Sequence, residues 1–254
     1  MSATNRGSVR MDQDAYFTPH LITYAYIPHL FPVGSRFRNL PVVDPAAGEG
    51  HLLFPLLKAG FPAASLYALE LDAERAAKCA EAVGCAVSVG DTLVRCAEWA
   101  PSSPCTIISN PPYSLAFDFV KWGVSAAQRC GGRYAAFLRL NFLASVGRAA
   151  FFRLHPPSLA ISPARPSFVR LRYLNPDGSP VLTEGGKPKG ADTDATEYAW
   201  LLWDFSGAAY APPIWLESKA ERIHIDLVRA GFASLDKPTL EGPEAPILYR
   251  TVRG

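Results

Sequence analysis

The chain has 254 residues and a formal net charge of +2, with 49% hydrophobic and 19% charged residues. This length fits one large domain, residues 1–254, and the composition excludes a disordered chain. The N-terminus is polar and no apolar run reaches membrane-spanning length, so we expect a cytoplasmic protein without a membrane partner.

The first 140 residues predict strands that alternate with helices. Strand-like apolar runs occupy residues 41–44, 65–71, 86–91, 104–110 and 133–140, and strand character returns at 197–205. AERAAKCAEAV and SLAFDFVKWGVSAAQR have helical periodicity, and Asp72 is placed to cap the first of them. This alternation indicates an α/β fold with a doubly wound, mostly parallel sheet and helices on both faces.

Two later segments are less regular. Residues 141–195 form a basic, loop-rich region, which we interpret as an insertion or a recognition region, and 175–194 is typical of a long loop. Residues 206–254 form a C-terminal extension. In it, IWLESKAERIHIDLVRAG predicts an amphipathic helix that packs on the sheet or mediates dimerisation.

Positive charge is concentrated in the middle of the chain. Residues 121–190 contain 11 Lys and Arg against only 2 Asp and Glu, whereas residues 1–120 contain 8 against 11. Such a block suggests a polyanionic partner that meets one face of the protein. The alternative is that these side chains are scattered over a solvated surface.

The remaining polar and aromatic residues give weaker signals. Five cysteines lack any CxxC pair and five histidines lack ligand spacing, so we predict reduced core cysteines and no metal site. His20 and His51 neighbour the motifs described below, but packing is the expected role of both. Trp200 and Trp203 lie in a strand-like run and are expected in the core.

A glycine-rich turn and three acidic residues indicate a ligand site. DPAAGEG, residues 44–50, follows the first strand, and such glycines let a backbone approach a ligand at the carboxyl edge of a sheet. Three successive strands each end in a carboxylate, at Asp44, Glu70 and Asp91. Acidic residues there suit the hydroxyl and amino groups of an adenosine-containing ligand better than a pyrophosphate. The alternative is that Asp and Gly simply favour loops after strands.

The tetrapeptide Asn110–Tyr113, NPPY, follows the fourth strand. The Asn110 oxygen and a backbone carbonyl, which we assign to Pro111, could accept both N–H groups of an adenine amino group and stabilise the charge that develops during methyl transfer. Pro112 keeps the backbone rigid and donates no N–H, and Tyr113 offers a stacking surface. The alternative is a rigid Pro-Pro turn with a packing tyrosine.

These motifs carry a resemblance to the S-adenosylmethionine-dependent N6-adenine DNA methyltransferases, particularly small phage- or prophage-type ones, over residues 16 to about 205. YFTP (16–19), DPAAGEG, NPPY, RLNFLAS, RPSF and DTDATEYAWLLW carry the match. The resemblance implies a Rossmann-like methyltransferase fold with a seven-stranded sheet and S-adenosylmethionine as cofactor. It also implies that the cofactor contacts come from Tyr16, Thr18, Pro19, Asp44, Ala46, Gly48, Gly50, Glu70, Leu71, Asp91, Thr92 and Asn110.

The resemblance further implies a catalytic role for Asn110, Pro111, Pro112 and Tyr113, and base or DNA contacts for Phe168, Arg139 and Arg165. The partner would be DNA, either a duplex with a flipped adenine or a single strand, in a restriction-modification or orphan setting. The chain departs from the family in having no separate large target-recognition domain. Recognition is therefore left to residues 141–195, a homodimer or a partner subunit.

Two alternatives remain open from the sequence. NPPY also occurs in enzymes that methylate RNA adenine or a protein glutamine, although the basic block and the tail motifs favour DNA. A non-catalytic binding subunit would have no need to keep NPPY, Gly48, Gly50 and Asp91 together.

Overall fold

The computed structural model describes residues 18, 20–95, 101–162, 167–169, 184, 191–193, 197–207, 212–217 and 220–232. The helices are α1 (His20–Leu30), α2 (Leu53–Lys58), α3 (Ala73–Val83), α4 (Ala116–Cys130), α5 (Val146–Leu154) and α6 (Ala220–Arg229). The strands are β1 (Val42–Asp44), β2 (Leu66–Glu70), β3 (Ala86–Val89), β4 (Thr106–Ser109), β5 (Arg133–Arg139), β6 (Ser158–Ile161), β7 (Ser167–Val169), β8 (Ala191–Thr193), β9 (Tyr198–Asp204) and β10 (Ile214–Trp215).

The main sheet contains eight of these strands in the order β10-β6-β9-β5-β4-β1-β2-β3. All neighbouring pairs from β5 to β3 are parallel, whereas β9 is antiparallel to both β5 and β6. The expected doubly wound, mostly parallel α/β fold is confirmed, but the described part of the sheet has eight strands where seven were expected. The strand order reverses beside β1, and ligands of such sheets bind at this kind of switch point.

Two apolar layers cover the two faces of the sheet because side chains alternate along each strand. Phe137 and Trp200 pack on one face, where Trp200 stacks on Tyr26 of α1 with ring centroids 4.9 Å apart. Tyr134 and Trp203 pack on the other face, and their centroids are 5.6 Å apart. Both tryptophans are buried, which confirms their expected place in the core.

The cap and the core cysteines also follow from the sequence. Asp72 begins α3, and its Oδ1 accepts hydrogen bonds from the backbone N–H groups of Glu74 and Arg75. This cap satisfies two N–H groups that the first turn of a helix leaves without partners. The four cysteines that the structure describes, those at 79, 85, 105 and 130, are buried and unbridged.

The structure corrects the predictions for the second half of the chain. Residues 141–195 contain α5 and β6, which the loop-rich interpretation missed, and β7 pairs with β8 as a separate two-stranded sheet. Most of 175–194 lies outside the described residues.

The predicted amphipathic helix in the C-terminal extension is also shorter than expected. Ile214 and Trp215 form β10, since this β-branched and aromatic pair hydrogen-bonds alongside β6. The helix is confined to α6, whose Ile223 and Leu227 pack into the core near α1. None of the described helices has the length and apolar character needed to span a bilayer.

A glycine inside α4 tests this packing. A Cβ at Gly123 would lie 2.7 Å from the ring of Tyr134, closer than real Cβ contacts. We expect G123A to lower the free energy of unfolding, because overpacking costs about 1–3 kcal/mol and outweighs the roughly 1 kcal/mol that alanine gains in a helix.

The matched control is G147A, at an exposed position in α5 where the nearest atom is 3.9 Å away. This variant should be neutral or more stable than the wild type. Urea unfolding of the three proteins measures the difference. A G123A protein as stable as G147A would contradict the packing described here.

Candidate active site

The glycine-rich loop is tied to the ends of β1 and β2 by backbone hydrogen bonds. The N–H of Ala46 donates to Asp44 Oδ1 at 3.1 Å, and the N–H of Ala47 donates to the carbonyl of Leu69 at 2.9 Å. The N–H of Gly48 donates to Glu70 Oε2 at 2.7 Å. The turn therefore lies across the carboxyl ends of both strands, as the sequence predicted.

Gly48 and Gly50 occupy this loop for different reasons. Both have a positive φ, 56° and 89°, which strains any residue with a side chain. A Cβ at Gly50 would lie 2.8 Å from Val83 Cγ2 and 3.0 Å from Cys79 Sγ, so Gly50 permits close packing of the loop on α3. A Cβ at Gly48 would meet open space, which leaves its side of the loop accessible to a ligand.

Glu70 binds the glycine-rich loop and keeps the capacity to accept a hydrogen bond from a ligand. Its Oε1 accepts a hydrogen bond from the N–H of Asp72 at 3.0 Å and forms an ion pair with Arg75 at 2.9 Å. Its Oε2 accepts from Gly48. Because each carboxylate oxygen has two lone pairs, Oε2 can accept one further hydroxyl. Arg75 was not identified from the sequence. It lies in the first turn of α3, three residues after the Asp72 cap, and this position puts it beside the end of β2.

The third acidic residue, Asp91, lies two residues beyond the end of β3 and is exposed. Its Oδ1 accepts hydrogen bonds from the N–H groups of Leu93 and Val94, at 2.8 and 3.4 Å, and thus caps the following turn. The adjacent Thr92 is buried, and its hydroxyl donates to the carbonyl of Pro45 in the glycine-rich loop. Asp91 and Thr92 are therefore tied to the same edge as Asp44, whereas Leu71 is exposed next to Glu70.

Asp44 has the strongest electrostatic perturbation among these acids. Its carboxyl group is fully buried, and burial raises its pKa to about 8; the negative charge of Glu70 adds to this effect, and the hydrogen bond from Ala46 opposes it. Its Oδ2 has no hydrogen-bond partner among the residues that the structure describes. A buried, unsatisfied carboxyl oxygen of this kind can donate a hydrogen bond to a ligand when it is protonated and accept one when it is ionised.

Asn110 follows β4 and presents a second such oxygen. Its Nδ2 donates to Thr18 Oγ1 at 2.8 Å, so Thr18 contacts the NPPY motif directly. Its Oδ1 is buried and, within the described part of the chain, has no partner. The Pro112 carbonyl accepts the N–H of Leu115 in the turn before α4, which leaves the carbonyl of Pro111 as the better candidate for ligand binding.

Tyr113 lies in a cluster with Arg139 and Tyr198. The Tyr113 hydroxyl donates to the Tyr198 hydroxyl at 3.3 Å, and the Arg139 guanidinium carbon lies 4.7 Å from the centroid of the Tyr113 ring. Arg139 Nε donates to the Tyr198 hydroxyl at 3.1 Å. No local pattern marks Tyr198, because only the antiparallel direction of β9 places its first residue at this edge.

A histidine pair lies at the same edge. His20 Nε2 and His51 Nδ1 are 3.2 Å apart, and His20 stacks on Phe54 with centroids 5.0 Å apart. Burial lowers the pKa of His20 to about 4 and that of His51 to about 3, so both are neutral at physiological pH. The expected packing role fits this contact, which joins the start of α1 to the glycine-rich loop.

Several described members of the basic block make contacts within the chain. Arg133 is buried under Phe37, with its guanidinium 3.6 Å from the ring centroid. Lys121 pairs with Asp118, and Arg148 donates to the carbonyl of Phe142. Fewer of the described Lys and Arg side chains are therefore available to contact a polyanion than the count of charges in the sequence suggested.

Four of the predicted site residues lie wholly or partly outside the described residues. Tyr16, Pro19 and Arg165 lie outside the described residues, and Phe168 is described only through the pairing of its backbone with Asp192 in the β7–β8 sheet. The described residues contain no group of three or more His, Cys, Asp or Glu that could hold a metal ion.

The fold is similar to those of solved methyltransferases. No family model matches the sequence, and no curated protein matches it. The methyltransferase subunit of a type I restriction-modification system from Streptococcus thermophilus superimposes with a TM-score of 0.58 at 14% identity, covering 85% of this chain and 53% of that subunit. This chain thus spans about half the length of that subunit, and the similarity establishes a common fold.

Two further solved structures align with lower TM-scores. The 23S rRNA methyltransferase ErmE aligns with a TM-score of 0.48 at 16% identity, covering 85% of this chain and 84% of that one. TrmN from Thermus thermophilus aligns with a TM-score of 0.41 at 18% identity, covering 73% and 48%.

The raised pKa of Asp44 predicts a pH effect on stability. Between its unfolded pKa of 3.8 and its folded pKa of about 8, the folded protein keeps a proton that the unfolded chain loses. The unfolded state then binds fewer protons, so this group lowers stability as the pH rises, by up to about 1.4 kcal/mol per pH unit.

D44N cannot ionise and keeps the Oδ1 acceptor for Ala46. The free energy of unfolding of D44N should therefore increase relative to that of the wild type from pH 5 to pH 8. Above pH 8 the difference between the two proteins should stay constant. Urea unfolding of both proteins at several pH values measures this difference. Parallel curves throughout would mean that Asp44 is ionised in the folded protein.

Proposed function

We propose that the protein transfers a methyl group from S-adenosylmethionine to the N6 amino group of adenine in DNA, with the target base flipped into the NPPY pocket. The observation that carries this proposal is the buried Oδ1 of Asn110, which has no partner in the described part of the chain and lies at the carboxyl end of β4, beside the switch point of the sheet. An adenine amino group supplies the donor that this oxygen lacks.

The cofactor would lie along the carboxyl ends of β1, β2 and β3. When bound, S-adenosylmethionine supplies an activated methyl group on a sulfonium, with a good leaving group. The open side of Gly48 would let the ligand approach the loop, and Glu70 Oε2 would accept a ribose hydroxyl. Asp91 uses Oδ1 to cap the following turn, so its Oδ2 would accept from the adenine amino group of the cofactor. Asp44 Oδ2 is a further buried atom that a ligand could hydrogen-bond.

Thr18 supports closure of the N-terminal segment over the methionine part of the cofactor. Its side chain already meets Asn110, so the segment that would cover the cofactor also orients the catalytic amide. In this segment, the cofactor contacts would come from Tyr16, Thr18 and Pro19. The rest of the site would be lined by Ala46, Gly50, Leu71 and Thr92.

The chemistry on the acceptor side needs two hydrogen-bond acceptors and a flat surface. Asn110 Oδ1 and the Pro111 carbonyl would accept the two N–H groups of the adenine amine, which localises the nitrogen lone pair for attack on the methyl carbon. The C–N bond would form as the C–S bond of the cofactor breaks, and one amino proton would leave to solvent. Tyr113 would stack on the adenine ring, and Phe168 is proposed as a second stacking surface.

DNA is proposed as the polymer because of the net positive charge of residues 121–190. A base within a duplex must leave the stack at a cost of a few kcal/mol, and contacts with phosphates can offset that cost. Arg165 and the other basic residues of 141–195 are proposed to supply these contacts.

Substitutions at Asn110 test the catalytic role. N110A should lower the methylation rate by about 10²–10³-fold and leave the affinity for S-adenosylmethionine within a few-fold of wild type, since it removes an acceptor for developing charge. N110D keeps an acceptor oxygen and should retain much more activity. Radiolabel transfer to DNA and calorimetric titration of the cofactor measure the two quantities.

T18V is the matched control, because it removes the partner of Nδ2 without removing Oδ1. Its activity should fall less than that of N110A. If N110A loses cofactor binding together with activity, the NPPY turn is scaffolding. If the label enters RNA or protein while DNA stays unlabelled, adenine in DNA is the wrong substrate.

Binding of DNA should depend strongly on salt. Each phosphate that the protein neutralises contributes about −0.9 to the slope of log K against log salt for a duplex. We expect a slope steeper than −2 for a short duplex, measured by fluorescence anisotropy between 50 and 300 mM salt. A slope near zero, like that of an uncharged ligand, would remove DNA as the partner.

A further inference from the structure

We infer that Tyr198 and Arg139 are positioning residues that hold the Tyr113 ring in place for the target base. The inference rests on the proposed function, since it assigns the way in which the acceptor base is received. Neither residue would touch the reacting atoms; both would act through Tyr113.

The three side chains meet because of the direction of two strands. Arg139 is the last residue of β5 and Tyr198 the first residue of β9, and the antiparallel register pairs them directly. Tyr113 follows β4, the neighbour of β5 on the other side. The amino end of β9 is therefore brought to the edge where the carboxyl ends of the parallel strands lie.

Tyr198 is rigid enough to serve as the anchor of this cluster. Its side chain is completely buried and stacks on Phe137 with ring centroids 5.2 Å apart and planes at 15°. Its hydroxyl oxygen accepts hydrogen bonds from both Tyr113 and Arg139. One fixed oxygen thus restrains the tip of the Tyr113 ring and the guanidinium group that lies over it.

Arg139 covers one face of the Tyr113 ring. Its guanidinium carbon is 4.7 Å from the ring centroid, within the range of a cation–π contact. A flat base can then stack only on the opposite face, which fixes the side from which the base enters. A stacking surface that is already ordered also spares the cost of ordering it when the base arrives.

This arrangement gives Arg139 a role different from a phosphate contact. Its Nε is directed to Tyr198 and its guanidinium plane to Tyr113, whereas a phosphate contact needs only the positive charge. Lysine would preserve that charge but would lose both the Nε donor and the flat group. R139K therefore separates the two roles.

The experiment compares Y198F, R139K, R139A and the double variant Y198F/R139K in single-turnover methylation of whichever polymer the wild type methylates. Each single variant should lower the rate constant at saturating cofactor and polymer by about tenfold. The double variant should be little slower than either single one, because all act through one ring. The Kd for S-adenosylmethionine and the salt slope of polymer binding should not change.

Y134F is the control for loss of a buried tyrosine hydroxyl. Tyr134 is fully buried on the opposite face of β5, and its hydroxyl is 2.8 Å from the Ser109 hydroxyl. It should lose a similar amount of stability to Y198F and keep its rate constant. If the two variants lose rate equally, or if Y198F also weakens cofactor binding, Tyr198 is only structural.

Two further outcomes separate the inference from the proposed function. A normal rate in R139K, with a salt slope reduced by about 0.9 in R139A, would make Arg139 a phosphate contact and overturn the inference alone. Transfer to RNA by the wild type would overturn the proposed substrate and leave the inference to be judged on RNA. A wild type that methylates no polymer would overturn both.

Discussion

Parallel pairing of β1, β2, β4 and β5 is the constraint on which the rest of the structure depends. Parallel strands end at the same edge, so residues far apart in the chain, among them Asp44, Glu70 and Asn110, come together there. The hydrogen bonds from Gly48 to Glu70 and from Thr92 to Pro45 then lock the loops of that edge to one another.

Burial gives this edge its chemical character. Two buried oxygens, Asp44 Oδ2 and Asn110 Oδ1, have no hydrogen-bond partner in the described residues, and an unsatisfied buried acceptor costs stability. Proteins keep such costs mainly where function needs them. The protonated state favoured for Asp44 reduces part of the cost, whereas a neutral amide has no such route. Two such oxygens suit a ligand that offers hydrogen-bond donors better than they suit an anion such as phosphate.

The antiparallel strand β9 adds a second layer to the site. A parallel strand in its place would bring its carboxyl end, Asp204, to the edge and would leave Tyr198 at the opposite one. Instead, Tyr198 and Arg139 meet beside Tyr113 and form an aromatic and cationic cluster next to the NPPY turn. The reversal of one strand therefore decides which side chains surround that turn.

The sequence by itself determined the alternation of strands and helices, the Asp72 cap and the location of the glycine-rich and NPPY motifs, because these follow from short-range periodicity and turn chemistry. It did not determine β6 and β10, whose short runs gain their stability from pairing with distant strands. The His20–His51 contact, the buried place of Arg133 and the hydrogen bond between Arg139 and Tyr198 were decided by the tertiary structure alone. Each depends on which distant element lies opposite, and strand order and direction fix that, whereas local sequence does not.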